Sequence, residues 1–324
     1  MTTGSLAMEQ AVRARRAGAA AVGPARPGGV TLVELVVVMT ILGVLAIAAS
    51  IAVKPLLDSY SLSVRRAELT DVADGALRRM ARDARLALPN SLRIASSGTD
   101  TYLELLLTKT GGRYRAQTDA SAAGDVLRFD TPDGQFDTLG SVSFTGQAIA
   151  AGDVVVVYNL NAGAALQESN AYTRNAAGCG AANSPICNSQ PIASEGAGAL
   201  ANERRITLTA SRQFPVASPG NRFHVVSGPV TFACRPGPVN AAGDATGTLV
   251  RHSGYPIALV QPTAFGAGTS AVLAGYVEQC EIAYDAAPAN PAFARNGIVA
   301  LRIKLTRGGD SVTLYHETHV DNLP

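Results

Sequence analysis

One apolar run near the N-terminus constrains this chain more than any other feature. It extends over Val30–Val53 and reads VTLVELVVVMTILGVLAIAASIAV. As a helix that rises ~1.5 Å per residue, it would reach about 36 Å, enough to cross a hydrocarbon core of ~30 Å. Basic residues concentrate in the segment before the run, and such residues tend to stay in the cytoplasm. The pattern predicts a single-pass protein whose remaining chain, after Val53, lies outside the cytoplasm.

The charge of the chain is unevenly distributed. The formal net charge is +2, and residues 1–29 contain four arginines and one glutamate, so the rest of the chain is close to neutral. That remainder lacks the basic stripe that phosphate binding requires. The composition therefore does not favour a nucleic-acid-binding role as the core function. With 47% hydrophobic residues, the 324-residue chain can still bury a sizeable core.

Glu34 is the residue that does not suit a plain membrane anchor. An ionisable side chain near the centre of a spanning helix costs about 2.5–3.5 kcal/mol, and less near its end. Glu34 could simply extend to the membrane surface. However, its context, Gly29-Val30-Thr31-Leu32-Val33-Glu34 followed by a long apolar helix, resembles the type IV prepilin signal. The resemblance is to the type IV pilin and pseudopilin superfamily.

This resemblance implies specific processing. A membrane-embedded prepilin peptidase would remove residues 1–29 as a leader by cutting between Gly29 and Val30, and would methylate the new amine of Val30. Glu34 would then pair with the N-terminal amine of a neighbouring subunit, because a carboxylate held in lipid gains most from an opposite charge. The family usually has Phe where this chain has Val30. If translation starts at Met8, the leader is shorter.

An ordinary secretory signal is the rival interpretation. Ala46-Ile47-Ala48 is an acceptable signal-peptidase site after a basic segment and an apolar segment, and it would leave Ala49 as the mature N-terminus. Glu34 inside the apolar segment, the spacing of the prepilin signal and the amphipathic helix that follows all favour the prepilin interpretation.

The helix is expected to continue beyond the membrane. Residues 30–54 are predicted to be the transmembrane helix and residues 55–89 an amphipathic continuation, with a kink at Pro55 and an end at Pro89-Asn90. The opposite side mixes arginines with acidic residues and is predicted to be solvated. The face to be buried recurs at steps of three and four residues: Leu62, Leu69, Val72, Ala73, Ala76, Leu77, Met80 and Ala84.

The pattern of the rest of the chain, residues 90–324, predicts a β-rich head. Its short β-branched segments are separated by Gly, Pro, Asn or Asp, and the clearest hairpin turns at Gly308-Gly309-Asp310. The fold class is therefore α+β: a long N-terminal helix packed on an antiparallel sheet, as in pilins. Ala162–Asn202 is predicted to form loops. The predicted strands are Tyr102–Leu107, Val126–Phe129, Asp153–Tyr158, Arg205–Thr209, Arg222–Val226, Val230–Cys234, Ala274–Tyr284, Ile298–Thr306 and Val312–Val320.

All four cysteines lie after the apolar run, in a compartment where disulfides persist. Four cysteines allow three pairings. The short loop between Cys179 and Cys187 favours that pair, which leaves Cys234 with Cys280. A zinc site is disfavoured because no two cysteines have C-x-x-C spacing.

The search for catalytic residues is negative. His316-Glu317-Thr318-His319 has its two histidines three apart on a predicted strand, facing opposite sides, whereas HExxH needs them four apart on a helix. There is no P-loop, nucleophile elbow or dinucleotide fingerprint. No catalytic residue, metal or cofactor is predicted, and a secreted enzyme is the least favoured hypothesis.

Three later segments resemble one lineage within the superfamily more specifically, the minor pilins of the PilW and type II secretion J type, in particular those of mannose-sensitive haemagglutinin (MSHA) pilus biogenesis. The segments are Leu88-Pro89-Asn90-Ser91, Arg222–Val230, and Leu314-Tyr315-His316 with His319–Pro324.

This resemblance implies a minor pilin that primes or caps a fibre. Its partners would be the prepilin peptidase, other minor and major pilins and an inner-membrane assembly platform. The protein would span the inner membrane once with its head in the periplasm, then join the pilus at the cell surface. Two alternatives stay open: a J-like minor pseudopilin of a type II secretion system, and a tip subunit that binds a surface or DNA.

Overall fold

The computed structural model describes residues 29–144, 147–163, 169–175, 187–285 and 296–324. The chain divides into two compact units between Tyr60 and Ser61. The first contains the apolar run, and the second contains the remaining helix and all of the strands.

The helix α1 comprises Leu32–Arg85 and includes Pro55. It starts where the sequence predicts but ends before the expected Pro89, because the backbone after Arg85 bonds to a strand instead. The Leu88 amide donates to the Leu106 carbonyl at 2.8 Å, and the Leu86 carbonyl accepts from the Thr108 amide at 2.9 Å. These bonds replace the last helical turn with the start of the sheet.

The buried stripe of α1 is narrower than the pattern predicts. Leu62 and Val72 were expected in it but are 38% and 42% exposed. Val72 lies at the margin of the stripe, while Leu62 precedes the first helical core residue, Leu69. The buried apolar residues of the helix are Leu69, Ala73, Ala76, Leu77, Met80, Ala81 and Ala84.

The strands form one antiparallel sheet. Its order is β11-β10-β9-β8-β7-β4-β5-β6-β3, with β2 also paired to β7 and β1 paired to β2. The strands are β1 (Arg93–Ser97), β2 (Asp100–Arg113), β3 (Asp133–Thr138), β4 (Val154–Val157), β5 (Ser189–Ala197), β6 (Arg204–Arg212), β7 (Arg222–Arg235), β8 (Gly247–Ser253), β9 (Thr269–Asp285), β10 (Asn296–Arg307) and β11 (Asp310–Asp321).

The strand β7 is where the sheet forks. It pairs with β2 along most of its length, and its other edge is shared by two shorter strands. β4 pairs with the first half, ending at Val154 opposite Val226. β8 pairs with the second half, from Ser253 opposite Val230. The predicted segments Arg222–Val226 and Val230–Cys234 are therefore one strand, and the edge between them faces a gap.

Other strand predictions also need correction. Val126–Phe129 is not a strand: its backbone makes isolated hydrogen bonds, such as Leu127 amide to Arg115 carbonyl at 3.0 Å, rather than a ladder. The supposed loop region Ala162–Asn202 contains β5 and a short 3₁₀ helix, Ala171–Asn175. The polar strands β1 and β3, and β8, were missed because none of them has the alternating apolar pattern.

Two large hydrophobic cores lie on either side of the fork. The helix core combines the α1 stripe with residues of β2 and β7 to β11, including Leu103, Phe232, Leu249, Leu301 and Val320. The distal core contains residues from β3 to β7, including Phe136, Val155, Ile192, Ile206 and Phe223.

Candidate functional site

The start of α1 is capped by Thr31. Its Oγ1 accepts a hydrogen bond from the Glu34 amide at 3.2 Å. The Thr31 carbonyl accepts the first helical bond, from the Leu35 amide at 3.1 Å. A Thr followed three residues later by Glu is the sequence pattern of a capping box, so this role of Thr31 could have been found from the sequence. The cap fixes the helix start two residues after the expected cleavage point.

The carboxylate of Glu34 is left unpaired by this arrangement. In a complete capping box it would accept a bond from the Thr31 amide. Within the described residues, however, the Glu34 side chain has neither a hydrogen bond nor an ion pair. An acid in the first helical turn is favoured by the helix dipole by only about 0.3–1 kcal/mol. The carboxylate is therefore available to another group.

The apolar run surrounds Glu34 with exposed hydrophobic surface. Every residue from Gly29 to Lys54 is exposed, with Val30 at 68%. The hydroxyls of Thr40 and Ser50 donate to the carbonyls three residues earlier, each at 2.8 Å, so both are satisfied without water. Among the described residues, α1 is a helix long and apolar enough to cross a membrane. These features suit membrane anchoring.

The end of α1 is tied to the end of the chain. The Asn90 side chain donates to the carbonyls of Asn159 and Asn322, each at 3.0 Å. Asn159 donates in turn to the Pro89 carbonyl at 2.8 Å. Two of the segments that carry the lineage resemblance, Leu88–Ser91 and His319–Pro324, therefore meet in the folded head.

A buried ion pair lies beside this junction. Arg93 donates to Glu104 at 2.8 Å, and its guanidinium stacks 3.6 Å from the centre of the Tyr172 ring. Burial raises the pKa of the Glu104 carboxyl, and the neighbouring Arg93 opposes that rise. The remaining guanidinium donors bond to the carbonyls of Ala258 and Leu259. The cluster is satisfied internally, so it holds the fold together rather than offering a reactive group.

The charged side of α1 is partly used for packing, contrary to the solvated face predicted from the sequence. Arg66 pairs with Asp310 at 3.2 Å, at the turn between β10 and β11. Asp83 is buried and pairs with Arg251 of β8 at 2.8 Å. The pattern of mixed charges does not reveal which residues meet the sheet.

The two histidines of the HETH segment face opposite sides of β11. His316 is partly buried, whereas His319 is exposed. The described part of the chain contains no group of three or more His, Cys, Asp or Glu residues that could hold a metal ion.

Cys234 of β7 and Cys280 of β9 form a disulfide. Cys187 is buried at the start of the segment that leads into β5. Cys179, its expected partner, lies outside the described residues, so that pairing stays a prediction.

A long N-terminal apolar helix followed by a large antiparallel sheet is a pilin-like arrangement. Residues 25–50 match the family model described as the prokaryotic N-terminal methylation motif. This match supports a type IV pilin-like or pseudopilin protein, which is a structural role, and it implies processing by a prepilin peptidase. No curated protein and no solved structure matches the chain.

Proposed function

We propose that this chain is a minor pilin that helps to initiate or cap a type IV pilus of the MSHA kind, in the role of the pilus biogenesis protein MshO. The leader is residues 1–29, and prepilin peptidase cuts between Gly29 and Val30 and methylates Val30. Residues 30–54 span the inner membrane, residues 55–89 continue the helix, and the head of residues 90–324 lies in the periplasm before assembly.

The observation that carries this proposal is the contrast between the two parts of α1. Up to Lys54 the helix leaves every apolar residue exposed, and from Leu69 it buries a stripe against a sheet of its own chain. Burying apolar surface is worth about 25 cal/mol per Å², so a long exposed stretch requires lipid or other subunits around it. In a subunit that moves from a membrane into a fibre, this stretch is surrounded first by lipid and then by other subunits.

Glu34 supplies the assembly contact. A buried unpaired charge costs several kcal/mol, and an opposite charge held alongside offsets that cost. Methylation of Val30 leaves its amine cationic, and the Glu34 carboxylate has no partner within the described chain. We infer that the Val30 amine of one subunit pairs with Glu34 of the next, with other minor pilins, major pilins and the inner-membrane platform as the partners of assembly.

The mature N-terminus tests the processing step. The full chain is expressed in a host that carries a prepilin peptidase, purified from membranes and analysed by mass spectrometry. An N-methylated Val30 is expected. An unmodified N-terminus at Ala49 would show an ordinary secretory signal and contradict the proposal.

Deletion of the gene distinguishes a pilus from a secretion pseudopilus. Loss of surface fibres with normal protein secretion is expected for a minor pilin. Normal fibres with lost secretion would assign the chain to a type II secretion pseudopilus instead. A strain that assembles fibres but no longer attaches to surfaces or takes up DNA would indicate a tip-binding subunit.

A further inference from the structure

A cavity of about 330 Å³ lies in the fork of the sheet. It occupies the gap on the edge of β7 between the end of β4 and the end of β8. Its walls come from the middle of β7, the residues next to the two shorter strands and the end of the 3₁₀ helix. Its lining includes Val154, Arg174, Ser227, Gly228, Pro229 and Ile257. Pockets for small ligands begin at about this size.

Arg174 is the cationic residue in this lining, and among the described residues it has no acidic partner. Its guanidinium is partly buried, and within the described chain it forms no ion pair and no hydrogen bond. Burial lowers the pKa of Arg174, and no carboxylate of the described residues opposes the effect. Removing a charge from water without a partner is costly, so an anion bound beside this arginine would offset that cost.

Three other partly buried arginines of the head each have an acidic partner. Arg93 pairs with Glu104, Arg251 with Asp83, and Arg115 with Glu203. The contrast shows that this fold can supply acidic partners to its buried arginines. Arg174, which lines the cavity, lacks such a partner in the part of the chain that the structure describes.

The remaining lining shows what kind of anion fits. The Ser227 hydroxyl has no hydrogen-bond partner among the described residues and offers a second donor. Val154, Pro229 and Ile257 provide apolar walls. Gly228 has φ of +134° and leaves open space where a side chain would begin, which keeps the middle of β7 clear. A guanidinium binds a carboxylate through two parallel hydrogen bonds, and apolar walls favour a small hydrocarbon group attached to it.

We propose that this cavity binds a carboxylate carried on a small apolar group, with Arg174 and Ser227 as the donors. The ligand is either a free small acid or the C-terminal carboxylate of a peptide with an apolar last residue. Both sources share the chemistry that the cavity recognises. This site is independent of the assembly role assigned to Glu34.

The test uses the full chain in a non-ionic detergent and a buffer without carboxylates. Thermal unfolding is followed by far-UV circular dichroism with increasing isovalerate, and with isovaleramide as the uncharged match. A second arm compares acetyl-Gly-Gly-Val as the free acid and as the amide. A saturable rise in melting temperature of about 2–4 °C is expected at acid concentrations near ten times Kd. The amides should give none.

Three variants identify the site. Arg174→Gln should weaken binding at least tenfold yet melt no lower than the wild type without ligand, because it removes a partly buried charge that has no partner among the described residues. Ser227→Leu should block binding by filling the cavity while the charge stays. Arg128→Gln removes an exposed arginine and should change nothing.

Each result of these experiments either supports or overturns the proposed site. Binding of isovalerate alone identifies a free acid, and binding of the peptide acid as well identifies a chain terminus; either supports the site. Equal effects of acids and amides, or full binding by Arg174→Gln, would overturn it. So would a wild type that does not respond together with an Arg174→Gln variant that melts lower, since Arg174 would then serve only in packing.

Discussion

The side-chain amide of Asn90 donates a hydrogen bond to the backbone carbonyl of Asn322 across 3.0 Å. Asn90 follows the helix, and Asn322 follows the last strand, so one side chain connects the segment after α1 to the segment after β11. Asn90 has φ of +56°, a left-handed conformation that asparagine tolerates better than most residues.

Two substitutions of Asn90 should distinguish how much its hydrogen bonds and its left-handed backbone conformation each contribute to the free energy of unfolding. Asn90→Gly keeps the left-handed backbone but loses two hydrogen bonds, which should cost about 1–2 kcal/mol in the free energy of unfolding. Asn90→Ala should cost about 1–2 kcal/mol more. Asn202 also has positive φ but lies exposed in a turn, so Asn202→Gly is the control and should be nearly neutral. Equal losses from both Gly variants, measured by thermal unfolding, would contradict this prediction.

The buried pair of Arg93 and Glu104 should matter far more than a surface pair. Arg93→Met leaves the Glu104 carboxylate buried without its partner and should lower the free energy of unfolding by about 3–5 kcal/mol. The control is Arg302→Met, which breaks an exposed pair with Glu281 and should cost less than about 1 kcal/mol. Similar melting temperatures for the two variants would count against the role of burial.

The head should lose stability as the pH falls through about 6.5, the ordinary value for histidine. Burial lowers the pKa of His224, and the charge of Arg222 lowers it further while Asp321 opposes them. The unfolded chain therefore takes up a proton that the folded chain excludes, so the stabilisation present above the unfolded pKa is lost as the pH falls.

Melting temperatures at pH 7.5 and pH 5 measure this loss. His224→Gln should reduce the difference between the two pH values. It should not remove it, because burial also lowers the pKa of His252. His319→Gln, at an exposed position, should leave the difference unchanged. A pH response that survives unaltered in His224→Gln would refute this assignment.

The Cys234–Cys280 disulfide should stabilise the head by about 2–4 kcal/mol, since it closes a long loop in the unfolded chain. Cys234→Ala, Cys280→Ala and the double variant should then unfold at similar temperatures, well below the wild type, because either change removes the same bond. Additive losses in the double variant would indicate two independent packing effects.

Glu34→Gln should leave cleavage and methylation at Val30 intact but reduce incorporation into fibres about tenfold or more, a loss of at least ~1.4 kcal/mol per contact. Mass spectrometry checks the processing, and immunoblots of sheared fibres check the incorporation. Thr31→Ala is the control: it removes the helix cap, worth about 1 kcal/mol, and keeps the charge. Wild-type incorporation of Glu34→Gln would remove the assembly role from this residue.

The helix and the α+β class could be predicted because their signals are local. The apolar run, the three-and-four spacing from Leu69 to Ala84 and the hairpin at Gly308-Gly309 each depend on neighbouring residues. Local patterns do not reveal β1 and β3, because most of their residues are polar, and β3 also pairs with the distant strand β6. The end of α1 was placed too late because Leu88 bonds to Leu106, a contact that the local pattern does not encode.

The candidate sites also differ in whether a local sequence motif predicts them. Gly29, Val30 and Glu34 form a linear motif, and Thr31 belongs to a capping pattern within it. The cavity around Arg174 could not be found in the sequence. It arises where three strands and a 3₁₀ helix meet, and a single arginine carries no sign of whether the fold provides it with an acid.

The disulfide between β7 and β9 also limits how far the head can be stretched. Cys234 and Cys280 are separated by 46 residues, and both ends of the chain lie outside the loop that they close. A pull applied between the apolar helix and the C-terminus therefore cannot extend that segment while the bond is intact. At about 3.3 Å per residue, roughly 150 Å of contour length is withheld from extension. A fibre subunit built this way would extend under tension only outside the Cys234–Cys280 loop, and β8, which lies inside the loop, would not be stretched.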